Sequence, residues 1–117
     1  MVNNYVYGRS QENQRLYFVQ RKRHAVLGTR FYGSKIGKSW IKLLRFNPKV
    51  DLMWVDRNGV VYFEQLKSAR KGNKPRISKD EVESIKRLAD IFRNNRTVWV
   101  GFVLKEFRKP WKEVRLN

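Results

Sequence analysis

Residues 97–104 read TVWVGFVL, an unbroken apolar run of strand length rich in β-branched residues. A continuous rather than alternating apolar pattern marks a strand buried on both sides. The clearest companion is a β-hairpin: Val50–Val55, the turn Asp56-Arg57-Asn58-Gly59, then Val60–Ser68. Asn-Gly accepts the positive φ that tight hairpin turns need. Ser78-Lys79-Asp80-Glu81 is a capping box, with Ser78 as N-cap and Glu81 reaching back. The helix it opens extends to about Asn95 and carries Val82, Ile85, Leu88, Ala89 and Phe92 on one stripe. A shorter helix is expected over residues 9–20, capped by Ser10, with Leu16, Phe18 and Val19 as a partial apolar face. Residues 24–30 suit a short strand, 31–48 a long basic loop and 71–77 a second one. Residues 105–117 are polar, with Trp111 and Val114 as anchors. The order helix, strand, hairpin, helix, strand describes an α/β chain, and no linker or repeat divides its 117 residues.

Charge narrows the partner. The chain carries 27 Lys and Arg against 10 Asp and Glu, a net +17. Residues 21–49 hold nine cations and no acid, with Phe31, Tyr32, Trp40 and Phe46 among them, and residues 67–79 hold six more cations. A short basic run is ordinarily a solvated face, but this density in a small domain points to a polyanion. No basic amphipathic helix with a clean apolar face stands out in the first segment, which disfavours a membrane surface. Cys is absent and His24 stands alone, so thiol chemistry, disulfides, Cys-based zinc and a two-His metal site are excluded. No apolar run is long enough to span a bilayer and the first 20 residues lack a signal-peptide core, so an intracellular protein is expected.

With acids scarce, each has a place to be argued. Asp51 opens the first hairpin strand. On the second, side chains alternate, so Gln65 and Lys67 share one face while Glu64 and Leu66 take the other. Folding the hairpin brings Asp51 towards Gln65 and Lys67. An Asp, a side-chain oxygen two residues before a Lys, and that Lys make a metal-dependent phosphodiesterase arrangement. The oxygens hold Mg²⁺. The Lys steadies the attacking water or the charge developing on phosphorus. Taken singly, Asp51 is an ordinary strand-start acid and Lys67 an ordinary basic residue; the pattern joins them.

Asp51…Gln65-Leu66-Lys67 resembles the PD-(D/E)xK nuclease motif. More widely, residues 8–114 resemble the archaeal-type Holliday junction resolvases, the Hjc family. The resemblance runs through Gly8-Arg9-Ser10-Gln11-Glu12, His24-Ala25-Val26-Leu27 with Arg30, Gly33-Ser34-Lys35, Lys49-Val50-Asp51-Leu52, Tyr62, Gln65-Leu66-Lys67, the capped helix and the apolar strand. It implies a restriction-endonuclease-like mixed β-sheet flanked by helices. It also implies a homodimer that nicks opposed strands of four-way DNA junctions with Mg²⁺, for which Mn²⁺ can substitute. Asp51 and Gln65 become metal-site residues, Glu12 completes the site, Lys67 is the catalytic lysine, and Ser34 lies where relatives carry a functional serine. Arg30 matches a cation near the cut, and Arg9, Lys35, Lys38, Lys42, Arg45, Arg70, Lys71, Lys74 and Arg76 are the remaining DNA-contact candidates. Ile85, Leu88 and Phe92 match the family's dimer face. Thermophilic archaea or their viruses fit the resemblance as hosts.

Two departures stand out. The stretch before Asp51 is longer than the family's usual loop, and its extra length, about 31–48, reads as a DNA-contacting insertion. Gln65 stands where the family has Glu, which keeps a carbonyl ligand but removes a charge. Three readings of Gln65 follow: a variant that still cuts, an isosteric replacement that traps a complex, or a binding protein on a nuclease scaffold. Glu64 could replace it only through a bulge that turned it to the Lys67 face. A nuclease of another specificity, for flaps, single strands or recognition sites, shares the same motif.

Overall fold

The computed structural model describes residues 4–22, 24–29, 42, 46 and 48–117. Helix α1 spans Asn4–Arg21, strand β1 Ala25–Thr29, β2 Leu52–Val55 and β3 Val61–Ser68. Helix α2 spans Lys79–Ile91, β4 Val98–Lys105 and β5 Lys112–Arg115. The strands form one sheet in the order β1-β2-β3-β4-β5, all neighbours antiparallel except β3 and β4. A parallel pair needs a crossover, and α2 provides it.

The hairpin forms as its turn residues dictate. Gly59 takes φ +82°, and Asp56 Oδ1 accepts the Asn58 and Val60 amides at 2.8 and 3.0 Å. β4 lies between β3 and β5, with Val98, Val100, Phe102 and Val103 all buried, as its unbroken apolar run requires. Gly101 is needed there, because a Cβ would run into the Val114 carbonyl of β5.

Two apolar cores sit on opposite faces of the sheet. Under α2, Ile85, Leu88 and Ala89 pack with Val50, Phe63, Val98, Val100 and Phe102. On the other side, Val19 of α1 packs with Leu52, Trp54, Leu66 and Val103, and Trp54, Tyr62 and Trp99 line up across β2, β3 and β4. His24 stacks on Trp54 with ring centroids 4.9 Å apart, a structural position.

α1 departs from expectation. It begins at Asn4, so Ser10 lies inside it rather than capping it, and Phe18 is 40% exposed. Its face towards the sheet is defined instead by Arg15, only 1% exposed. The Arg15 guanidinium donates to both oxygens of Glu64 on β3, at 3.0 and 2.8 Å, and to Glu113 of β5 at 2.9 Å. β5 was not expected either: KEVR is charged and short, and edge strands carry weak apolar signals.

The expected dimer face needs correcting. Ile85 and Leu88 are 0% and 1% exposed and fill the chain's own core, so no second copy can reach their side chains. Phe92 stacks on Phe63 at 5.6 Å.

Removing one partner of a buried ion pair strands the other charge, at a cost of about 3–5 kcal/mol, whereas an apolar replacement of both is far milder. Chemical denaturation of Arg15→Met should show that loss, and adding Glu64→Leu should recover most of it. A loss below about 1 kcal/mol would mean the pair does not anchor α1.

Candidate metal and nucleic-acid site

The β2–β3 register places Leu52 opposite Glu64. One step back, the Asp51 amide donates to the Glu64 carbonyl at 2.9 Å, and Asp51 Oδ2 accepts the Leu66 amide at 2.8 Å. The hairpin thus holds the Asp51 carboxylate against the Gln65-Leu66-Lys67 segment. Both registers of β3 are regular, without a bulge. Glu64 therefore stays on the α1 face, committed to Arg15, and does not replace Gln65.

Asp51, Gln65 and Lys67 line one cavity of about 410 Å³ together with Glu12 from α1. Lys49, Ser78 and Glu81 complete its polar wall. Lys49 adopts φ 54°, a left-handed conformation that costs roughly 1–2 kcal/mol in a non-glycine residue.

Glu81 was expected only as a cap. It does cap: its Oε1 accepts the Ser78 amide at 3.2 Å, and Ser78 Oγ accepts the Glu81 amide at 3.2 Å. Its other oxygen faces the sheet, where Oε2 accepts Gln65 Nε2 at 2.7 Å and pairs with Lys67 Nζ at 2.9 Å. The signal was available in part. Helix α2 is the return path from β3, so its first turn starts near the end of β3 that carries Gln65 and Lys67.

Two of the cavity's carboxylates shift in opposite directions. Burial pushes the Asp51 carboxyl up to about 7; Glu12 and Glu81 add to the rise, while the Leu66 amide and Lys67 ammonium oppose it. Burial also works to raise Glu81, but hydrogen bonds from Lys67 and Ser78 prevail and hold it below the usual carboxylate range. Gln65 Oε1 is buried without a hydrogen-bond donor. Its partner atom Nε2 must face the Glu81 carboxylate, which only accepts, so the orientation of the amide is fixed.

These donors fit Mg²⁺ or Mn²⁺. Carboxylate and amide oxygens are the ligands such hard cations take, and Mg²⁺ typically uses one or two carboxylates while keeping several waters. Among the described residues no three acidic, His or Cys side chains form a ready cation cage. A site of Asp51 with the Gln65 carbonyl, and Glu12 beside them, does not require one.

A second cleft of about 970 Å³ shares Glu12, Leu66 and Lys67 with the first. Arg70, Lys74 and Arg76 line it with Tyr7 and Trp111. The Arg70 guanidinium lies 5.6 Å from the Tyr7 ring, and its Nη2 is buried without an acceptor. Lys71 is exposed on the same loop, Arg9 is exposed on α1 and Lys42 is exposed, but none of the three lines either cleft. Arg30, Ser34, Lys35, Lys38 and Arg45, with most of the 31–48 stretch, lie outside the described residues. Among the described residues no helix is long and apolar enough to cross a membrane.

No protein-family model matches the chain, and no curated protein matches it. The fold is similar to that of Archaeoglobus fulgidus Hjc, a Holliday junction resolvase from an archaeal hyperthermophile. The match has a TM-score of 0.61 at 19% sequence identity and covers 92% of this chain and 74% of that one. The five-stranded mixed sheet between α1 and α2 therefore has the fold of that Hjc structure.

Proposed function

We propose that this chain is a metal-dependent endonuclease that cuts branched DNA, with the four-way junction as its substrate. The observation that carries this reading is the meeting of Asp51, Gln65, Lys67 and Glu12 in one cavity that joins a cationic cleft. Arg70, Lys74 and Arg76 bind the phosphate backbone along that cleft and guide one strand past Lys67. Asp51 and the Gln65 carbonyl, with Glu12, would hold Mg²⁺. A bound cation would polarise the scissile phosphate and lower the pKa of water. Lys67 steadies the negative charge that develops as the phosphate is attacked. A homodimer accounts for paired nicks, since two-fold symmetry sets two sites on opposed strands.

Gln65 favours a second reading: a junction-binding protein that has lost catalysis. One assay separates them. Four-way junction, flap and linear duplex are incubated with Mg²⁺ and with the chain or its Asp51→Asn variant. The nuclease reading expects nicks in the junction and not in the duplex, abolished by Asp51→Asn with DNA affinity within about threefold, since Asp51 makes no phosphate contact in this scheme. Junction binding without any cutting supports the second reading. Cutting undiminished in Asp51→Asn defeats the site assignment.

For the cleft, log affinity against log salt should fall by about 0.9 per phosphate contact on duplex arms. Lys74→Ala and Arg76→Ala should each flatten that slope by about 1 and weaken junction binding. An unchanged slope in both would place the DNA elsewhere.

The raised Asp51 carboxyl gives a pH signature in metal-free buffer. The folded chain keeps a proton that the unfolded chain releases above pH 3.8, so stability falls as pH rises from about 4 to 7. Asp51→Asn keeps the acceptor for Leu66 and removes the charge. It should match the unmodified chain near pH 4 and exceed it above pH 7. Solvent reaches Asp51 through the cavity, so we set the gain at about 1–3 kcal/mol. Parallel pH profiles of the two proteins would contradict this.

A further inference from the structure

Position 65 carries a neutral amide where the motif has a carboxylate, which leaves the proposed cation site one negative charge short. The structure points to where that charge has gone. Glu81 Oε2 lies 2.7 Å from Gln65 Nε2. Two carboxylates cannot share that distance without a proton between them, because the like charges repel too strongly. An amide and a carboxylate share it readily. Gln65 and Glu81 therefore form a hydrogen-bonded unit with one negative charge between them, on the helix side rather than the strand side.

We propose that Glu81 supplies the charge that position 65 lacks, acting through Gln65 so that strand β3 and helix α2 hold the divalent cation jointly. The inference rests on the cation site proposed above and concerns how that site is charged. Glu81 is a positioning residue here. By accepting the Gln65 N–H, it fixes Oε1 as the remaining polar atom of the amide, and that oxygen is buried without a donor on a residue that lines the cavity. A buried acceptor with no donor is costly, and a cation would satisfy it. The Ser78 amide grips the other oxygen of Glu81, so the carboxylate is held from both ends. A carboxylate offers about four lone-pair sites, and Ser78, Gln65 and Lys67 engage three of them. The charge is thus oriented before any cation arrives, and the cap that starts α2 also sets the rotamer of Glu81.

The unit implies that amide and carboxylate can be exchanged. Mn²⁺ binding, followed by calorimetry and by loss of the free-ion electron paramagnetic resonance signal, tests this without reference to cleavage. The chain is compared with Glu81→Gln, Gln65→Glu and the double exchange. Gln is accepted in a capping box, so Glu81→Gln keeps the helix start, and melting temperatures check each fold. Glu81→Gln should weaken Mn²⁺ binding by about 10-fold or more, as loss of a partner behind a ligand typically does. The double exchange should return affinity to within about threefold of the unmodified chain, because the single charge is restored across the same hydrogen bond. If Glu81→Gln binds as tightly as the unmodified chain while Asp51→Asn does not bind, the cation site stands and the role of Glu81 is refuted. A double exchange that folds and stays as weak as Glu81→Gln also refutes it. No Mn²⁺ binding by the unmodified chain would overturn the cation site and this inference together.

Discussion

The buried ion pair between Arg15 and Glu64 is the constraint on which the site depends. α1 has no continuous apolar stripe: Tyr17 and Phe18 are 64% and 40% exposed, and among its described side chains Val19 is the one buried apolar residue. A helix with so little apolar grip is free to roll on a sheet. The guanidinium fork stops it, since both oxygens of Glu64 are met at 3.0 and 2.8 Å. Planar bidentate pairing fixes direction as well as distance. Glu12 lies one turn before Arg15, so the same fork delivers Glu12 to the cavity beside Asp51. Strand β3 thereby divides its labour: Glu64 holds α1 on one face, while Gln65 and Lys67 meet α2 on the other.

Much of this was legible in the sequence because the signals were local. The Asn-Gly turn, the capping box at Ser78 and the apolar run of β4 each specify their own geometry, and each formed where expected. What escaped depends on partners far along the chain. Arg15 looks like any surface cation until Glu64, 49 residues away, is beside it. β5 offers no apolar pattern, and its place follows from Gly101 leaving room for the Val114 carbonyl. The stripe on α2 matches a dimer face by resemblance alone. Periodicity says that Ile85 and Leu88 are covered, not by what, and the sheet covers them.

The candidate site was legible to the same degree. Period-two alternation put Gln65 and Lys67 on one face, and hairpin pairing brought Asp51 to them. Glu81 was hidden by its other role. A capping glutamate satisfies one orphan amide with one oxygen, and nothing local shows that its second oxygen is engaged elsewhere. Only the crossover from β3 to β4 sets that oxygen over the strand.

The outer rim of β5 has a consequence for assembly. Lys112, Glu113 and Arg115 are exposed, and Glu113 is tethered inward by Arg15. Charged side chains on a short terminal strand discourage ribbon-to-ribbon extension, the usual route by which open sheets aggregate. Two copies joined through this rim would bring like cations together on a molecule already at +17. Extension of the sheet through the β5 rim is therefore opposed by the strand's own charges.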